Sequence, residues 1–460
     1  MLKNLYLDLA TLREAYAEGG LTAAALTEEV LARIAAAGED HVWISRVTDD
    51  ALRARAAALD AEATQRRARL PLFGIPFAVK DNIDVAAMAT TAACPAFAYA
   101  ATETAPAVQR LLDAGAILVG KTNLDQFATG LVGTRSPYGV PRNPFDHRYI
   151  PGGSSSGSAV AVAAGLVSFA LGTDTAGSGR VPAAFNNIVG LKPTRGRIST
   201  GGVVPACRSL DCVSIFALSA ADAAAIDAVC AGYEKYDPFA RRAPGRSLPI
   251  EAPFRYAMPE PDARDDAEAW TALEGVAHVL DELGAEPVSV DIAPLRAAGA
   301  LLYGGPWVAE RLAVVEALFT RSPEALLPVT RTIIAGAAKF SALDAFKGFY
   351  RLGELATESE RTIWYETEIL LLPTVPRLYR IDEIADDPIA RNAHLGLYTN
   401  FANLLDLAAI ALPAGFRKDG LPLGVSLIAP AFSDASLLAL GQQVQDLLRL
   451  PLGARQSSRS

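Results

Sequence analysis

The sequence predicts an α/β protein built on one large, mixed, mostly parallel and twisted β-sheet with helices on both faces. Short apolar runs alternate with helical segments along the chain, and this alternation is typical of parallel sheets covered on both sides. Hydrophobic residues make up 51% of the 460 residues, enough for a sizeable core. Length allows two or three domains, but no linker separates the motifs, so we expect a single domain over residues 1–460.

Residues 1–66 are predicted to form an N-terminal helical region. Thr22 is a candidate N-cap for a helix whose apolar face includes Leu26 and Val30, and Thr48 precedes a second helix in the same way. An Ala-rich helical hairpin of this kind can pack on the core or on a second protomer. Residues 1–66 are therefore also a candidate dimer contact.

The elements that follow are predicted from apolar runs and their flanking turn residues. Leu72–Val79 is predicted to be a buried strand that ends at Lys80. Pro106–Asp113 is predicted to be a helix and Ala116–Gly120 a short strand. The almost wholly apolar run Ala159–Leu171 predicts a buried helix that leads into a strand or turn.

The second half of the chain continues the alternation. We predict helices at Asp265–Leu283, over most of residues 296–360 and at Ser436–Leu450, and strands at Glu286–Ile292, Ile369–Pro376, Ala408–Pro413 and Leu421–Ile428.

Composition and charge exclude several classes of protein. The net charge of −9 argues against nucleic acid as a main partner. The four cysteines show no metal-binding spacing and are expected to be reduced thiols of a cytoplasmic protein. The N-terminus lacks the pattern of a signal peptide, and the longest apolar run is too short to span a bilayer, which takes about 20 residues. We expect no membrane association.

The stretch Gly152–Ser178 is the most informative part of the sequence. Glycines and serines lie at both ends, with an apolar segment between them. Gly/Ser-rich stretches are most often flexible linkers, but linkers do not enclose an apolar helix. A phosphate-binding loop does not fit either, because no Gly-Lys-Ser/Thr follows and the glycines lack the dinucleotide spacing.

A serine hydrolase without a catalytic histidine fits this pattern. A serine hydroxyl is a weak nucleophile until a base removes its proton. None of the four histidines lies in a recognisable catalytic motif. Lysine can take this part where burial lowers its pKa, and Lys80 ends an apolar strand, where an ammonium group is poorly solvated.

Three separated motifs resemble the amidase signature family. They are, in chain order, Gly74–Asn82 (GIPFAVKDN), Gly152–Ser158 (GGSSSGS) and Asp174–Ala183 (DTAGSGRVPA). We take residues 70–215 as the region of the catalytic motifs. The resemblance implies the family's fold and a Ser–cisSer–Lys triad with Ser178 as the nucleophile. Ser154, on a cis peptide, would be the bridging serine and Lys80 the base.

The turn that carries Ser178 is a candidate oxyanion hole. Its small residues allow successive N–H groups to point at one oxygen. The predicted donors are the backbone N–H groups of Thr175, Ala176, Gly177 and Ser178. Asp174 and Arg180 flank this turn and are expected to pair and hold it.

A second resemblance concerns the substrate. Leu301–Arg311 (LLYGGPWVAER), Ser178–Arg195 and Pro205–Phe216 are similar to segments of the allophanate hydrolases. In that family a tyrosine and an arginine eight positions apart hold the substrate's carboxylate, and Tyr303 and Arg311 match this spacing.

A guanidinium and a phenol suit a carboxylate, because they offer charge-assisted hydrogen bonds. Two helical turns separate Tyr303 from Arg311, although Gly304–Pro306 complicates a continuous helix. We assign substrate recognition to the helical residues 296–360, and Gly130 is a further expected substrate-binding residue.

The resemblance implies hydrolysis of the terminal amide of allophanate (N-carboxyurea) to N-carboxycarbamate and ammonia, in urea or s-triazine nitrogen catabolism. It implies no metal or organic cofactor, and a homodimer. We expect this chain to lack the second, C-terminal domain that such enzymes often carry.

Two other functions remain open from the sequence. One is a general amidase or the glutaminase component of a tRNA-dependent amidotransferase, which shares the triad motifs. The other is an inactive amidase fold that serves as a scaffold, which predicts loss of Lys80, Ser154 or Ser178; all three residues are present.

Overall fold

The structure is a computed structural model that describes residues 5–244, 250, 252–262 and 265–454. These residues form thirteen β-strands and seventeen α-helices. The strands are β1 (Trp43–Arg46), β2 (Pro76–Lys80), β3 (Ala89–Thr90), β4 (Tyr99–Ala100), β5 (Ile117–Thr122), β6 (Phe169–Asp174), β7 (Val189–Lys192), β8 (Cys212–Ala217), β9 (Phe254–Met258), β10 (Ala285–Ser289), β11 (Ile369–Pro373), β12 (Leu407–Phe416) and β13 (Pro422–Pro430).

The helices alternate with these strands over most of the chain. They are α1 (Leu9–Ala17), α2 (Ala23–Ala37), α3 (Asp49–Asp60), α4 (Thr64–Arg67), α5 (Pro106–Asp113), α6 (Ser156–Ala163), α7 (Val181–Phe185), α8 (Ala220–Cys230), α9 (Ala267–Glu282), α10 (Ala293–Gly304), α11 (Val308–Arg321), α12 (Pro328–Ala335), α13 (Ala342–Ser359), α14 (Ile381–Asp386), α15 (Ala390–Leu395), α16 (Phe401–Leu404) and α17 (Asp434–Leu448).

Eleven of these strands form one sheet in the order β1-β5-β2-β6-β8-β7-β12-β13-β11-β9-β10. The predicted large mixed sheet with helices is confirmed. Parallel pairing occurs within β5-β2-β6 and within β11-β9-β10, whereas the strands between them pair antiparallel. Sequence alternation does not reveal this, because a hairpin such as β12–β13 needs only a short connection and no crossover helix.

The parallel group β5-β2-β6 brings the predicted catalytic motifs together. Val79 in β2 is paired with Leu171 in β6, so the two strands end at the same edge of the sheet. Lys80 is the last residue of β2, and the turn that leads to Ser178 follows β6 directly. Ligands of α/β proteins bind at the carboxyl ends of such strands.

Helix α6 lies between these two motifs and is buried along its whole length. A helix without a polar face belongs in a core, and the predicted apolar helix followed by a strand is confirmed by α6 and β6. Gly157 fits between neighbouring backbones, since a Cβ there would lie 2.5 Å from Val42 O and 2.7 Å from Asn123 N. The turn of residues 152–155, which precedes α6, is therefore anchored to a tightly packed core element.

The N-terminal region packs on the core of the same chain. Thr22 and Thr48 cap α2 and α3 through their side chains, as predicted. Leu26 and Val30 are buried in the main core. The region also contains a strand that the helical prediction missed: β1 pairs with β5 at the edge of the sheet.

Two further observations concern the described residues as a group. All four cysteines are free and buried. None of the described helices combines the length and the apolar character that crossing a membrane requires.

Candidate active site

Lys80 is fully buried at the end of β2. Its Nζ donates to Ser154 Oγ at 2.8 Å and to Thr173 Oγ1 at 2.6 Å. Burial lowers the pKa of the Lys80 ammonium group to about 7, from an ordinary value of 10.5. A substantial fraction of Lys80 is therefore neutral at neutral pH and able to accept a proton.

Ser154 lies in the turn that precedes α6, and the Gly153–Ser154 peptide bond is cis, as the resemblance implies. The turn fits closely: a Cβ on Gly152 would lie 2.8 Å from the Cα of Pro182. The next residue ties the turn to β6, because Ser155 Oγ donates to Thr173 O at 3.1 Å. Ser154 is thus fixed within reach of Lys80.

Ser178 lies in the turn after β6 and is 2% exposed. The turn is held by the predicted ion pair, in which the Arg180 guanidinium meets the Asp174 carboxylate at 2.9 and 3.0 Å. Both residues are fully buried. Arg180 also donates to Thr399 O at 3.1 Å, so this turn is attached to the segment that precedes α16.

The turn supplies fewer free N–H groups than the sequence predicts. Gly177 N–H donates to Asp174 Oδ1 at 2.9 Å, so Gly177 is not a free donor for an oxyanion. The N–H groups of Thr175, Ala176 and Ser178 make no hydrogen bond within the part of the chain that the structure describes. The Asp174 carboxylate therefore occupies one of the four N–H groups predicted to form the oxyanion hole.

Ser178, the candidate nucleophile, is not hydrogen-bonded to Ser154, the predicted bridging serine, among the described residues. Ser178 Oγ makes a long contact of 3.5 Å with Gly130 O, and among the described residues it makes no hydrogen bond with Ser154. Catalytic hydrogen bonds are often long in unliganded proteins and tighten when substrate binds. Gly130, a predicted substrate-binding residue, is thereby placed beside Ser178.

Tyr303 and Arg311 lie on two helices rather than one. Helix α10 ends at Gly304 and α11 begins at Val308, yet Arg311 Nη2 donates to Tyr303 OH at 3.0 Å. The guanidinium carbon is 4.9 Å from the centre of the tyrosine ring. The predicted pair is formed, but by a break between helices and not by two turns of a single helix.

Arg311 also joins this pair to the loop that carries Gly130. It is 2% exposed, and its Nη1 donates to Thr129 Oγ1 at 3.0 Å. A second buried guanidinium, that of Arg135, donates to Thr129 O at 2.7 Å. Two cations therefore approach one residue next to Gly130, which makes this side of the site attractive to an anion.

Three buried carboxylates act on Lys80 in the direction opposite to burial. Those of Asp125, Asp211 and Asp174 favour the charged ammonium, in that order. Asp211 accepts hydrogen bonds from the Thr175 hydroxyl and from Ala206 N–H. Burial raises the pKa of the Asp211 carboxyl to about 6. Lys80 thus lies in a low-dielectric site with compensating negative charge.

Three residues of this site were not predicted from the sequence: Asp125, Thr129 and Arg135. A signal was available for them, because residues 123–135 follow β5, a strand that runs parallel to β2. Carboxyl ends of parallel strands share an edge, so this loop had to lie near Lys80. The contacts with Arg311 had no such signal, since 182 positions separate it from Thr129.

A mixed α/β sheet that carries a buried lysine hydrogen-bonded to one serine, with a second serine in the turn after the neighbouring strand, fits the serine–lysine class of site. Comparison with known proteins agrees, because the amidase family matches residues 25–438. A urea amidolyase of Saccharomyces cerevisiae is 44% identical over 91% of this chain. The chain belongs to the amidase family.

Solved structures and other curated relatives include an allophanate hydrolase and an amidotransferase component. An allophanate hydrolase of Kluyveromyces lactis has a TM-score of 0.90 and 41% identity over 96% of this chain and 74% of its own. One component of the glutamyl-tRNA(Gln) amidotransferase of Acidobacterium capsulatum is 34% identical over 93% of this chain and 96% of its own length. The chain spans only 23% of the yeast urea amidolyase.

Proposed function

We propose that this protein hydrolyses the terminal amide of allophanate to N-carboxycarbamate and ammonia. One observation carries the proposal: the buried Arg311, paired with the half-buried Tyr303, reaches the loop whose Gly130 contacts Ser178. A cationic site next to a nucleophile selects a small amide with a carboxylate at its far end. The strong structural likeness to the K. lactis allophanate hydrolase supports the same substrate.

The proposed reaction is acyl transfer through Ser178. Its Oγ attacks the terminal amide carbon, while its proton passes through the Ser154 hydroxyl to neutral Lys80. The free N–H groups of the Ser178 turn stabilise the oxyanion. Ammonia leaves with a proton returned along the same path, and water then cleaves the ester to release N-carboxycarbamate.

The carboxylate of the substrate would bind to Arg311 and Tyr303. A guanidinium can bind a carboxylate through two parallel charge-assisted hydrogen bonds, and the phenol offers a third. Arg311 is buried, so these bonds form in a low-dielectric environment where they are stronger than in water. Removing one partner of such a buried charged contact typically costs about 2–5 kcal/mol.

The test is ammonia release from allophanate beside malonamide, a simple aliphatic amide and glutamine. We expect allophanate to be strongly preferred and Ser178→Ala to be inactive. Arg311→Ala should lower kcat/KM for allophanate at least about 30-fold, as that cost implies, with little effect on the neutral amides.

The exposed Arg351, paired with Glu354 on α13, offers a matched control: Arg351→Ala should behave as wild type. Equal cleavage of neutral amides, unaffected by Arg311→Ala, would indicate a general amidase. A preference for glutamine would favour the amidotransferase glutaminase, which the relative from A. capsulatum represents.

Three further expectations accompany this proposal: a homodimer, a cytoplasmic location and a place in urea or s-triazine nitrogen catabolism. The yeast urea amidolyase relative is consistent with the first of these pathways. Sedimentation equilibrium tests the dimer, and cell fractionation tests the location. A monomer at micromolar concentration would contradict the dimer without affecting the proposed chemistry.

A further inference from the structure

Asp125 is a buried carboxylate to which the mechanism above assigns no step. Its Oδ2 accepts hydrogen bonds from Val132 N–H at 3.1 Å and Gly133 N–H at 3.0 Å, and its Oδ1 accepts one from Arg135 N–H at 2.9 Å. The Asp125 side chain thus accepts three backbone hydrogen bonds from the loop after β5 and holds this loop in a closed turn. This loop includes Gly130, the residue in contact with the nucleophile.

The same residue is packed against the turn that carries the bridging serine. Asp125 N–H donates to Ser154 O at 3.0 Å. A Cβ added to Gly153 would overlap Asp125 Oδ2, and one added to Gly130 would lie 2.7 Å from it. The carboxylate therefore touches both backbones, and neither can move towards it.

Asp125 also acts on Lys80 through its charge. Burial lowers the pKa of Lys80, and among the groups that oppose this effect Asp125 is the largest, ahead of Asp211 and Asp174. Arg311 acts in the same direction as burial. When Lys80 accepts the proton of the nucleophile, a buried ammonium forms, and a fixed anion nearby stabilises it.

We propose that Asp125 is a positioning residue of the active site, which holds Gly130 and the Gly153–Ser154 turn against each other and stabilises the protonated form of Lys80. The proposal rests on the proposed serine–lysine chemistry but not on the identity of the amide. It is tested with a reaction that needs no amide, the sulfonylation of Ser178 by phenylmethylsulfonyl fluoride.

The first variant is Asp125→Asn, which keeps the shape of the side chain and removes its charge. The pH at which the labelling rate is half-maximal should fall by about one unit. The reason is that a nearby charge of opposite sign, here the Asp125 carboxylate, raises the pKa of a lysine by about one unit or more. The plateau rate should also fall, since a less basic lysine is a weaker general base. Mass spectrometry confirms that Ser178 is the labelled residue.

The second variant is Asp125→Glu, which keeps the charge but adds a methylene where Gly153 and Gly130 leave no room. Its half-maximal pH should stay near the wild-type value, while its plateau rate falls at least tenfold because Ser154 is displaced. The two variants separate the electrostatic part from the positioning part. A folded Asp125→Glu protein with the wild-type plateau would overturn the positioning part, even if Asp125→Asn does not fold.

Asp227→Asn is the matched control. Asp227 on α8 is another buried carboxylate, and it is ion-paired with Arg197. The Asp227→Asn substitution should lower the melting temperature and leave the pH profile of Ser178 labelling unchanged. An Asp125→Asn profile like that of Asp227→Asn would show that Asp125 is structural only. A wild-type protein that labels normally but does not prefer allophanate would contradict the proposed substrate and not this proposal.

Discussion

At the residue scale, the properties of Lys80 come from its surroundings. A lysine at the end of an exposed strand would stay charged, whereas Lys80 is fully buried and donates to two hydroxyl groups. Burial penalises the ammonium form, and this lowers the pKa to about 7. The residue can therefore act as a base near neutral pH without a histidine.

This pKa predicts the pH dependence of the reaction. The lysine must be neutral to accept a proton, so kcat/KM should rise with pH and reach half of its plateau near pH 7. The measurement is a pH profile of ammonia release under kcat/KM conditions. A half-maximal pH near 10, the value for a free lysine, would contradict the lowered pKa of Lys80.

Two substitutions at Lys80 test the same role in a different way. Lys80→Met removes the base and Lys80→Arg keeps a cation that cannot lose its proton. Both should lower kcat/KM by about 10²–10⁴-fold, the usual contribution of general base catalysis. Substantial activity in a folded Lys80→Arg protein would mean that the residue is needed only as a cation.

At the element scale, helix α1 is attached to α8 by a hydrogen bond to the buried carboxyl group of Asp222. Leu9 N–H, at the start of α1, donates to Asp222 Oδ1 at 3.2 Å. Burial raises the pKa of Asp222 to about 7, and the charge of Asp8 adds to this effect. Arg13 and the hydrogen bonds from Leu9 and Ser219 act in the opposite direction. The folded protein therefore keeps a proton on Asp222 that the unfolded chain loses.

This raised pKa predicts a loss of stability as pH rises. The contribution of Asp222 is most favourable below its ordinary pKa of 3.8 and declines up to about pH 7. Asp222→Asn removes the titration and keeps the acceptor for Leu9. The stability gain of this variant over wild type should be larger at pH 8 than at pH 5, measured by urea unfolding.

Asp386→Asn at an exposed position of α14 is the control, and it should show no such trend. A gain for Asp222→Asn that is the same at both pH values would contradict the buried, protonated carboxyl.

The connection between α10 and α11 is packed against α13. Gly348 of α13 leaves room for Pro306 in this connection, since a Cβ on Gly348 would lie 2.7 Å from the proline ring. Trp307 packs edge-on against Phe349 with ring centres 5.1 Å apart. These contacts set the direction of α11, and with it the position of Arg311 beside Tyr303.

At the scale of the whole molecule, the candidate site joins segments that are far apart in sequence. Lys80, Ser154, Ser178 and Arg311 come from a strand end, two turns and a helix. A ligand that bridges them should therefore stabilise the whole fold, since binding to the folded state alone raises stability by about 2.7 kcal/mol at a hundred times its Kd.

Malonate, a dianion of the product's size, is a suitable probe of this coupling. We expect it to raise the melting temperature of wild type in a concentration-dependent manner, and to have little effect on Arg311→Ala. Acetamide, which has no carboxylate, is the control ligand. An equal shift in both proteins would mean that malonate binds somewhere other than the Arg311 site.

The sequence by itself determined many of the helices and strands and the order of the motifs. Strong local signals, such as the cap at Thr22 or the apolar run that became α6 and β6, need no information from the rest of the chain. The motifs around Lys80, Ser154 and Ser178 were recognisable because they resemble, in the same chain order, the motifs of the amidase signature family.

Only the tertiary structure decided which groups meet. It showed that the Asp174 carboxylate occupies Gly177 N–H, and that Arg311 reaches the loop at Thr129. It also placed Asp125 between the loop that carries Gly130 and the Gly153–Ser154 turn. Such contacts depend on strand order and on packing between distant segments, and local sequence patterns carry no record of either.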